Sequence, residues 1–333
     1  EAGFRAVVLE TMGELRASHL YIYSNAPVPD KSIKTGATGI ELDYAVLDRD
    51  GVFRVDRVLS DSPADRAGIK AGQYITTIAG AALTRETSID KLLNGTIDHR
   101  LAMGISDKPG GEVTELYLKP ISSGKVRSFW YDDWVARRRS LVDSLSGGRL
   151  AYIHIPEMSR SKLAIFIEQL VAIAEPKEGL ILDIRDNGGG NTAVHILGML
   201  ERAPYIMRNF RGFPTISENK MRSKALEKPM ILLINQYSAS NSEIFAEGFR
   251  KLGLGKIVGT STAGGVIGTS SYRLIDGTRI RRPSWGAYTV EMEDTDLFPR
   301  EPDIYIENLL DDFINDRDPQ LIRAVRELMK ELK

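Results

Sequence analysis

The chain has 333 residues, of which 42% are hydrophobic, and this is enough to bury the cores of two or three domains. Its formal net charge of −1 offers no electrostatic attraction for nucleic acid or for an anionic membrane surface. It contains no cysteine, which excludes disulfides, thiolate metal sites and a cysteine nucleophile.

The beginning of the chain predicts a helical segment. Apolar residues recur at helical spacing over residues 5–19, and the Pro-, Gly- and Lys-rich stretch 26–39 is typical of a linker. Because the sequence opens at Glu1 inside this predicted helix, we expect it to be part of a longer chain, with any export signal upstream. The lack of cysteine does not fix the compartment, since exported bacterial proteins often lack it too. We expect an exported or periplasmic location over a cytoplasmic one. No apolar run approaches the ~20 residues of a membrane-spanning helix.

A short helix bounded by two tight turns is predicted after the short strands 39–44 and 53–58. Pro63 suits a first helical turn, and Gly68 suits the left-handed position that ends a helix. Gly72 suits a turn before the next strand.

This segment, with the Ile-x-x-Ile-x-Gly run that ends at Gly80, resembles the PDZ signature over residues 36–125. The resemblance implies a β-rich module in which the loop Thr38-Gly39-Ile40 binds the C-terminus of a peptide through backbone N–H groups. The alternative is that this module serves only as a spacer.

From residue 149 onward, apolar strands alternate with helices, and this pattern predicts an α/β layer with parallel strand pairing. The predicted strands are 150–155, 179–184, 230–235 and 256–259, and the predicted helices are 161–174, 192–202 and 242–252. Residues 127–145 are predicted to connect into this region, and residues 319–332 to form an amphipathic helix on its outside.

Ligands bind beyond the carboxyl ends of the strands in an open α/β sheet, and two such ends carry polar residues. A glycine triplet, residues 188–190, follows one strand, and Ser240 stands where another strand turns into a helix whose N–H groups favour negative charge. The triplet also fits a plain strand-to-helix turn. Its spacing matches neither of the two common nucleotide-binding patterns, so nucleotide binding is not expected. Ser240 and Glu243 have capping-box spacing, so Ser240 can also be a helix cap.

The run Ser-Ala-Ser-x-Ser-Glu-Ile-Phe, residues 238–245, resembles the nucleophile segment of the C-terminal-processing (S41) serine peptidases. The resemblance implies a crotonase- or ClpP-like α/β catalytic core with Ser240 as the nucleophile. Because the glycine triplet matches the oxyanion loop of that family, the backbone N–H groups of Gly190 and Asn241 are implied to hold the oxyanion.

The residue that activates the serine divides this family into two groups. Processing peptidases use a lysine within Thr-x-Gly-Lys-Gly, and here Gly265 stands at the lysine position, which disfavours a Ser/Lys dyad. The run 262–268, and Arg-Leu-Ile-Asp-Gly-Thr at 273–278, resemble the tricorn core protease. That group takes a histidine from Gly-Glu-Leu-x-x-Ser-His, which residues 13–19 match, so the resemblance implies His19 as the general base.

The other three histidines are less favoured as the base. His154 alternates within a predicted strand and is expected to be structural, and His99 is expected to be exposed. His195 lies close to the glycine triplet along the sequence, so it is the alternative base.

The same resemblance implies two more members of the site. Ser18 would orient the His19 imidazole, and a downstream glutamate would complete a Ser-His-Ser-Glu arrangement. Asp296 aligns with that glutamate but is shorter by one methylene. Neighbouring carboxylates leave the identity of this fourth member open: Glu291, Glu293, Asp294 and Glu301.

The resemblance also bears on specificity. Tricorn proteases place an acidic residue after the glycine-loop helix to bind basic side chains, whereas the matching stretch here, residues 205–207 around Ile206, is apolar. We therefore expect an apolar substrate side chain before the cleaved bond.

These observations predict three regions: an N-terminal helical segment at 1–35, a PDZ-like domain at 36–125 and an α/β serine peptidase core at 126–333. The expected activity is endopeptidase or processing peptidase cleavage of peptides or unfolded proteins. No metal-ligand spacing is present, and we expect no metal or organic cofactor.

Two other functions remain open. One is a catalytically inactive peptide-binding scaffold that acts through the PDZ-like module. The other is a crotonase-like acyl-CoA enzyme, which would give no reason for the Ser18-His19 pair. Because tricorn-type enzymes assemble into rings, the resemblance also implies a homo-oligomer.

Overall fold

The computed structural model of the protein describes residues 2–15, 18–23, 33–202, 207–209, 211–212, 214–217 and 226–332. The chain divides into two compact units. Residues 1–26 and 138–333 form the larger unit, and residues 27–137 form the smaller one. Each unit has a hydrophobic core of its own.

Helices and strands alternate through most of the described chain. The helices are α1 (Ala2–Gly13), α2 (Tyr44–Asp50), α3 (Pro63–Arg66), α4 (Ile89–Leu93), α5 (Ser123–Ser146), α6 (Arg160–Gln169, continued by a π turn at Leu170–Ala174), α7 (Ala193–Leu200), α8 (Asn241–Lys251), α9 (Leu310–Ile314) and α10 (Pro319–Glu331). The strands are β1 (Tyr21–Tyr23), β2 (Ile40–Leu42), β3 (Phe53–Val58), β4 (Tyr74–Ile78), β5 (Ala81–Ala82), β6 (Leu101–Ser106), β7 (Thr114–Leu118), β8 (Leu150–His154), β9 (Gly179–Asp183), β10 (Met207–Arg208), β11 (Ile216–Ser217), β12 (Met230–Ile234), β13 (Gly255–Gly259), β14 (Ile267–Arg273), β15 (Arg279–Gly286) and β16 (Ile304–Tyr305).

The smaller unit is built on an antiparallel sheet in the order β2-β3-β4-β6-β7, with β5 paired to β4. The cap and the turns around α3 agree with the sequence prediction. The Ser62 hydroxyl accepts the Asp65 N–H at 3.2 Å and so caps α3, which begins at Pro63. Gly68 and Gly72 have φ angles of 83° and 88°, which favour glycine.

The larger unit contains a parallel sheet in the order β16-β13-β12-β9-β8. Every residue of β8, β9 and β12 is buried, because helices cover both faces of such a sheet. The predicted α/β class is therefore confirmed. The carboxyl ends of β9 and β12 lie side by side, which brings the loops that follow them to one edge.

A second sheet in the larger unit, in the order β1-β15-β14, has no counterpart in the sequence predictions. β14 and β15 form an antiparallel hairpin, and β1 pairs with β15 through Tyr21 opposite Arg281. Ile22 on β1 is buried, so this strand is held by a side chain as well as by the backbone. The pairing fixes the N-terminal segment to a part of the chain that is remote in sequence.

Arg185, just after β9, carries a buried positive charge that is shared by two buried carboxylates. Its guanidinium lies 2.6 Å from Asp183 Oδ2 and 2.8 Å from Asp318 Oδ1, and it donates to Gln320 Oε1 at 3.0 Å. Burial alone would raise the pKa of Asp318, but the Arg185 charge holds it at about 2. Asp318 also accepts the Leu321 N–H at 3.1 Å, so this network ties α10 to the sheet.

Three local predictions differ from the structure. The first helix ends at Gly13, and His19 lies beyond it in a turn with φ of 65°. The predicted strand 39–44 is only β2, because Asp43 caps α2 by accepting the Val46 N–H at 3.0 Å. Residues 127–145, predicted only as a connection, lie entirely within the long helix α5.

None of the described helices combines the length and apolar character that a membrane crossing requires. The described residues also contain no cluster of three or more histidine, aspartate or glutamate side chains placed to hold a metal ion.

Candidate active site

Ser240 occupies a sharp turn between β12 and α8. Its backbone angles are φ 56° and ψ −120°, which L residues rarely adopt and which are found where a surrounding structure enforces them. The Ser240 N–H donates to Glu243 Oε2 at 2.8 Å, and the Glu243 N–H donates to the Ser240 carbonyl oxygen at 2.9 Å. Ser240 therefore starts the helix, as its spacing to Glu243 predicted, and it is also held in a strained conformation at the edge of the sheet.

The two predicted loops are joined by hydrogen bonds through Asn187, which is fully buried. Its carbonyl oxygen accepts the Ala239 N–H at 2.9 Å and the Ser242 hydroxyl at 2.7 Å. Its side chain donates to the Ile155 carbonyl at 2.8 Å and accepts the Gly189 N–H at 2.8 Å. The glycine loop and the Ser240 turn are consequently fixed relative to each other.

The glycine loop approaches the Ser240 turn more closely than any other residue type would permit. A Cβ atom at Gly189 would lie 2.7 Å from Ser240 Cβ and 2.8 Å from Asn241 N. A Cβ at Gly190, whose φ is 144°, would lie 2.1 Å from the Met158 carbonyl oxygen. Glycine is thus required at both positions.

The predicted oxyanion donors lie at this junction. In the described part of the chain, the backbone N–H groups of Gly190 and Asn241 donate to no backbone acceptor, whereas the Asn191 N–H donates to Met158 at 2.7 Å. The Asn241 side chain accepts the Ala193 N–H at 2.9 Å and so binds the start of α7 to the start of α8. Two unused donors near a serine hydroxyl are what an oxyanion site needs.

His19 reaches this site from the other end of the chain. A Cβ at Gly265 would lie 3.9 Å from His19 Cε1 and 3.8 Å from Ser18 Cβ. The Gly265 N–H donates to Glu243 Oε2 at 2.9 Å, and the same oxygen accepts the Ser240 N–H. One carboxylate oxygen therefore links the Ser240 turn to the loop against which His19 packs. Gly265 is also the position at which processing peptidases would carry lysine, and here the imidazole lies beside that space.

Asp296 is the carboxylate that contacts Ser18. The Ser18 hydroxyl donates to Asp296 Oδ1 at 2.7 Å, and the same oxygen accepts the Val266 N–H at 3.1 Å. Asp296 is only 9% exposed. The other carboxylates considered have different partners or are exposed: Glu291 pairs with Lys251, Glu301 accepts the Ser261 hydroxyl, Asp294 accepts the Asp296 N–H, and Glu293 is exposed.

The environment of His19 lowers the pKa of its imidazole below 6.5. The largest cause is burial, followed by the positive charge of Arg281, whereas the charges of Asp296 and Glu243 act in the opposite direction. His19 is consequently neutral at pH 7, which is the form that can accept a proton.

The other histidines have no comparable surroundings. His154 is buried, its Nε2 lies 3.0 Å from the Arg185 carbonyl oxygen, and burial lowers its pKa. His99 is exposed. His195 is exposed on α7 and borders a cavity with Arg160 and Met199.

The spacing of Glu243 to Ser240 predicts only a helix-capping role, but in the structure this side chain is central to the site. It is 1% exposed, and besides the Ser240 and Gly265 N–H groups it accepts the Thr262 hydroxyl at 2.6 Å and the Gly264 N–H at 2.7 Å. A carboxylate this deeply buried needs such donors. No local pattern indicates the donors at Thr262, Gly264 and Gly265, because they come from a loop some twenty positions later.

An apolar cavity of about 540 Å³ borders the site. Glu243 and Val266 line the side of the cavity next to the site. Glu243 accepts the Ser240 N–H, and the Val266 N–H donates to Asp296. The remaining apolar lining comes from α7, α8 and the segment after β15: Val194, Leu197, Ile244, Tyr288 and Val290. Ile206, the residue expected to set specificity, lies outside the described residues.

The loop Thr38-Gly39-Ile40 lies in the smaller unit. It lines a cavity of about 530 Å³ together with Phe53 and Leu93. Gly39 has a φ of 85°, and a Cβ there would lie 2.2 Å from Ser62 Cβ, so the loop conformation requires glycine. Its role in peptide binding, and the PDZ resemblance of this unit, stay predictions.

Comparison with known proteins gives consistent matches. The profile of Peptidase family S41 matches residues 149–306. The chain is 32% identical to Tricorn protease homolog 1 of Streptomyces coelicolor over 95% of its own length and 30% of that protein's. It is 30% identical to Tricorn protease of Thermoplasma acidophilum over 98% of its own length and 30% of that protein's.

A crystal structure of the tricorn protease superposes on the chain with a TM-score of 0.84 and 28% identity, covering 98% of this chain and 32% of that one. The chain therefore spans about a third of the length of these relatives. The family indicated by the Ser240 segment and by residues 13–19 is confirmed. The chain is a tricorn-like member of peptidase family S41, a family of serine peptidases.

Proposed function

We propose that this chain hydrolyses peptide bonds in peptides or unfolded proteins, with Ser240 as the nucleophile and His19 as the general base. The observation that carries the proposal is the shared Glu243 oxygen, which bonds both to the Ser240 N–H and to Gly265, the residue against which His19 packs. Family membership supports a serine peptidase, and this geometry supports the histidine-dependent arrangement within it.

In the proposed reaction, the imidazole of His19 takes the Ser240 proton as the hydroxyl oxygen attacks the substrate carbonyl carbon. The C–N bond then breaks, and the imidazolium gives its proton to the leaving amine. Water attacks the resulting ester in the same way, and the Ser240 hydroxyl is restored. Ser18, bonded to Asp296, orients the imidazole and helps to stabilise its charged form.

The negative charge of the tetrahedral intermediate would be held by the backbone N–H groups of Gly190 and Asn241. Both donors are unused in the described backbone, and the glycine loop brings them close to Ser240. Loss of one such donor typically costs roughly 10²–10³ in rate.

Fluorophosphonate labelling tests the nucleophile. We expect covalent modification that peptide mapping assigns to Ser240, and its loss in Ser240→Ala. His19→Ala should slow labelling at neutral pH, whereas His195→Ala, a change at an exposed histidine, should not. Labelling that persists unchanged in His19→Ala would contradict the proposed base.

The lining of the apolar cavity supports an apolar side chain next to the cleaved bond. The measurement is the ratio of kcat/KM for fluorogenic peptides that carry leucine or arginine at this position. A clear preference for arginine would refute this part of the proposal.

A second candidate function is peptide binding without hydrolysis through the smaller unit. The cavity beside Thr38, Gly39 and Ile40 favours it, because an extended peptide could lie along β2 there. Fluorescence polarisation can compare the Kd of a peptide with a free C-terminal carboxylate with the Kd of its C-terminal amide. Tighter binding of the free acid supports recognition of the carboxylate by this loop. Fluorophosphonate labelling, by contrast, would be absent from an inactive scaffold. Self-association and an exported location stay predictions.

A further inference from the structure

The apolar cavity contains an ion pair at a position where a substrate side chain would meet it. Glu247 and Arg300 both line the cavity, and Arg300 Nη1 lies 3.2 Å from Glu247 Oε2. The two side chains are 19% and 13% exposed, so the pair is largely removed from water. Removing two charges from water costs free energy, and here the pair interrupts an otherwise largely apolar lining.

Glu247 lies one helical turn beyond Glu243 on α8, and residues four apart share a face of a helix. Glu243 touches the backbone of Ser240, and Glu247 lies about one helical pitch, 5–6 Å, beyond Glu243 along the helix axis. Since both glutamates line the cavity, a lysine or arginine side chain that enters it from a bound peptide would meet Glu247.

The carboxylate of Glu247 would attract such a basic side chain if it were unpaired. Glu243, the other buried carboxylate of the lining, already accepts hydrogen bonds from Ser240, Thr262, Gly264 and Gly265. Arg300 supplies the counter-charge to Glu247, so the pair adds no net charge to the wall. Besides this pair and Glu243, the charged groups of the lining are Glu201 and Lys251, and both are exposed.

Arg300 is held in place independently of the ion pair. Its backbone N–H donates to the Thr262 hydroxyl at 2.6 Å, and its carbonyl accepts the Thr262 N–H at 3.1 Å. Its Nη2 donates to the Phe298 carbonyl at 2.7 Å, whereas its buried Nε has no partner among the described residues. The guanidinium is therefore fixed against Glu247 at the expense of one unsatisfied donor.

We propose that the Arg300–Glu247 pair is a specificity determinant: each partner neutralises the charge of the other, so that apolar side chains are accepted and basic ones are rejected. This inference rests on the proposed peptidase function, since the cavity is taken to receive the side chain beside the cleaved bond. A basic side chain that entered the cavity would lose its hydration without finding an unpaired carboxylate. This uncompensated desolvation disfavours basic substrates relative to apolar ones.

Two single substitutions, each of which removes one charge of the pair, should change the charge preference of the cavity in opposite directions. Arg300→Met removes the cation but keeps the stem and the backbone contacts to Thr262, and it leaves Glu247 unpaired. Glu247→Gln leaves Arg300 unpaired. We expect Arg300→Met to raise kcat/KM for a lysine peptide relative to its leucine counterpart by about tenfold or more. Glu247→Gln should raise the value for a glutamate peptide instead.

The double variant, Arg300→Met with Glu247→Gln, is the matched control. It carries no charge at either position, so it should gain neither the lysine nor the glutamate preference. Thermal unfolding of each variant establishes that it is folded. Folded, active single variants whose lysine, leucine and glutamate ratios stay within twofold of the wild type would overturn the proposal.

Binding separates this inference from the proposed function. The same peptides are titrated against each variant in a Ser240→Ala background by fluorescence polarisation. Opposite shifts in Kd for the lysine and glutamate peptides support the ion-pair inference even if the wild type hydrolyses nothing. Unchanged Kd values would refute it, and hydrolysis by the wild type would then leave the peptidase proposal standing.

Discussion

The Ser18 hydroxyl donates to Asp296 Oδ1 over 2.7 Å, although 278 positions separate the two residues in the chain. This bond fixes the residue before His19 to the loop that also contacts Val266. The N-terminal segment is thereby attached twice, once through β1 and β15 and once through this carboxylate. We therefore expect the base to be positioned by tertiary contacts rather than by the helix that precedes it.

Asp296→Asn should lower both the rate and the pH at which activity begins. The carboxylate charge raises the pKa of His19, so its loss lowers that pKa further and moves the acidic limb of kcat/KM to lower pH. Because the imidazolium also loses stabilisation, kcat/KM at neutral pH should fall by roughly 10- to 1000-fold. A pH–rate profile measures both effects. Glu293→Gln, at an exposed position of the same loop, should change neither.

Arg281→Gln should move the same limb in the opposite direction. Burial contributes most to the lowered pKa of His19 and the Arg281 charge comes second, so removing the charge raises the pKa towards 6.5. Protonated His19 cannot act as the base, and activity should therefore be lost at a higher pH than in the wild type. Arg282→Gln changes an exposed arginine on the same strand and is the control. An unshifted limb in Arg281→Gln would count against His19 as the titrating base.

Glu243→Gln should reduce both activity and stability. The amide can accept only with its oxygen, so at least one of the four donors now bound to Glu243 is left buried without an acceptor. The free energy of unfolding should fall by about 1–3 kcal/mol. Loss of the charge also lowers the pKa of His19, so the acidic limb should shift to lower pH. A purely structural role would leave that limb in place, and Glu168→Gln, a change at an exposed position of α6, should have no effect.

Gly189→Ala and Gly188→Ala form a matched pair of substitutions. At Gly189 the added methyl group meets Ser240 Cβ and Asn241 N below 3 Å, and the φ of 99° is unfavourable for alanine. We expect a loss of at least ~2 kcal/mol of stability together with a loss of fluorophosphonate labelling. A Cβ at Gly188 meets nothing within 4 Å, so that variant should label normally. Equal behaviour of the two would contradict the described loop geometry.

Asp318→Asn should destabilise the larger unit, because it leaves part of the buried Arg185 charge without a counter-charge. We expect a loss of roughly 3–5 kcal/mol in the free energy of unfolding at pH 7. The folded pKa of Asp318, about 2, is below its ordinary value of 3.8, so its contribution is present above pH 4 and is lost as the pH falls towards 2. The difference in the free energy of unfolding between the wild type and Asp318→Asn should therefore shrink as the pH falls towards 2. Asp311→Asn, which removes an exposed carboxylate, should cost at most ~1 kcal/mol.

The parts of the fold that could be predicted are those set by local sequence. The strands β8, β9 and β12 are predominantly apolar, and their predicted ends agree with the structure to within one residue. Helix α5 could also have been found, because Val135 and Val142 are buried seven positions apart, at two helical turns.

The parts that could not be predicted depend on partners remote in sequence. The pairing of β1 with β15 involves a three-residue strand, which is too short for a periodicity signal. The donors at Thr262, Gly264 and Gly265 are also remote in sequence from Glu243, which accepts their hydrogen bonds. The Ser240 turn was identified because a strand-to-helix junction and a family motif coincide there, whereas Arg281 left no local sign of its effect on His19.

The pairing of β1 with β15 has a consequence for the order in which the site is assembled during synthesis. His19 leaves the ribosome before Ser240, but the strand that holds its segment is translated only after Ser240 has already emerged. A nascent chain can therefore carry the serine in place while the imidazole is still unanchored. We expect hydrolysis to begin only when the β14–β15 hairpin has formed, which delays the appearance of an active peptidase until the chain has been translated beyond Gly286.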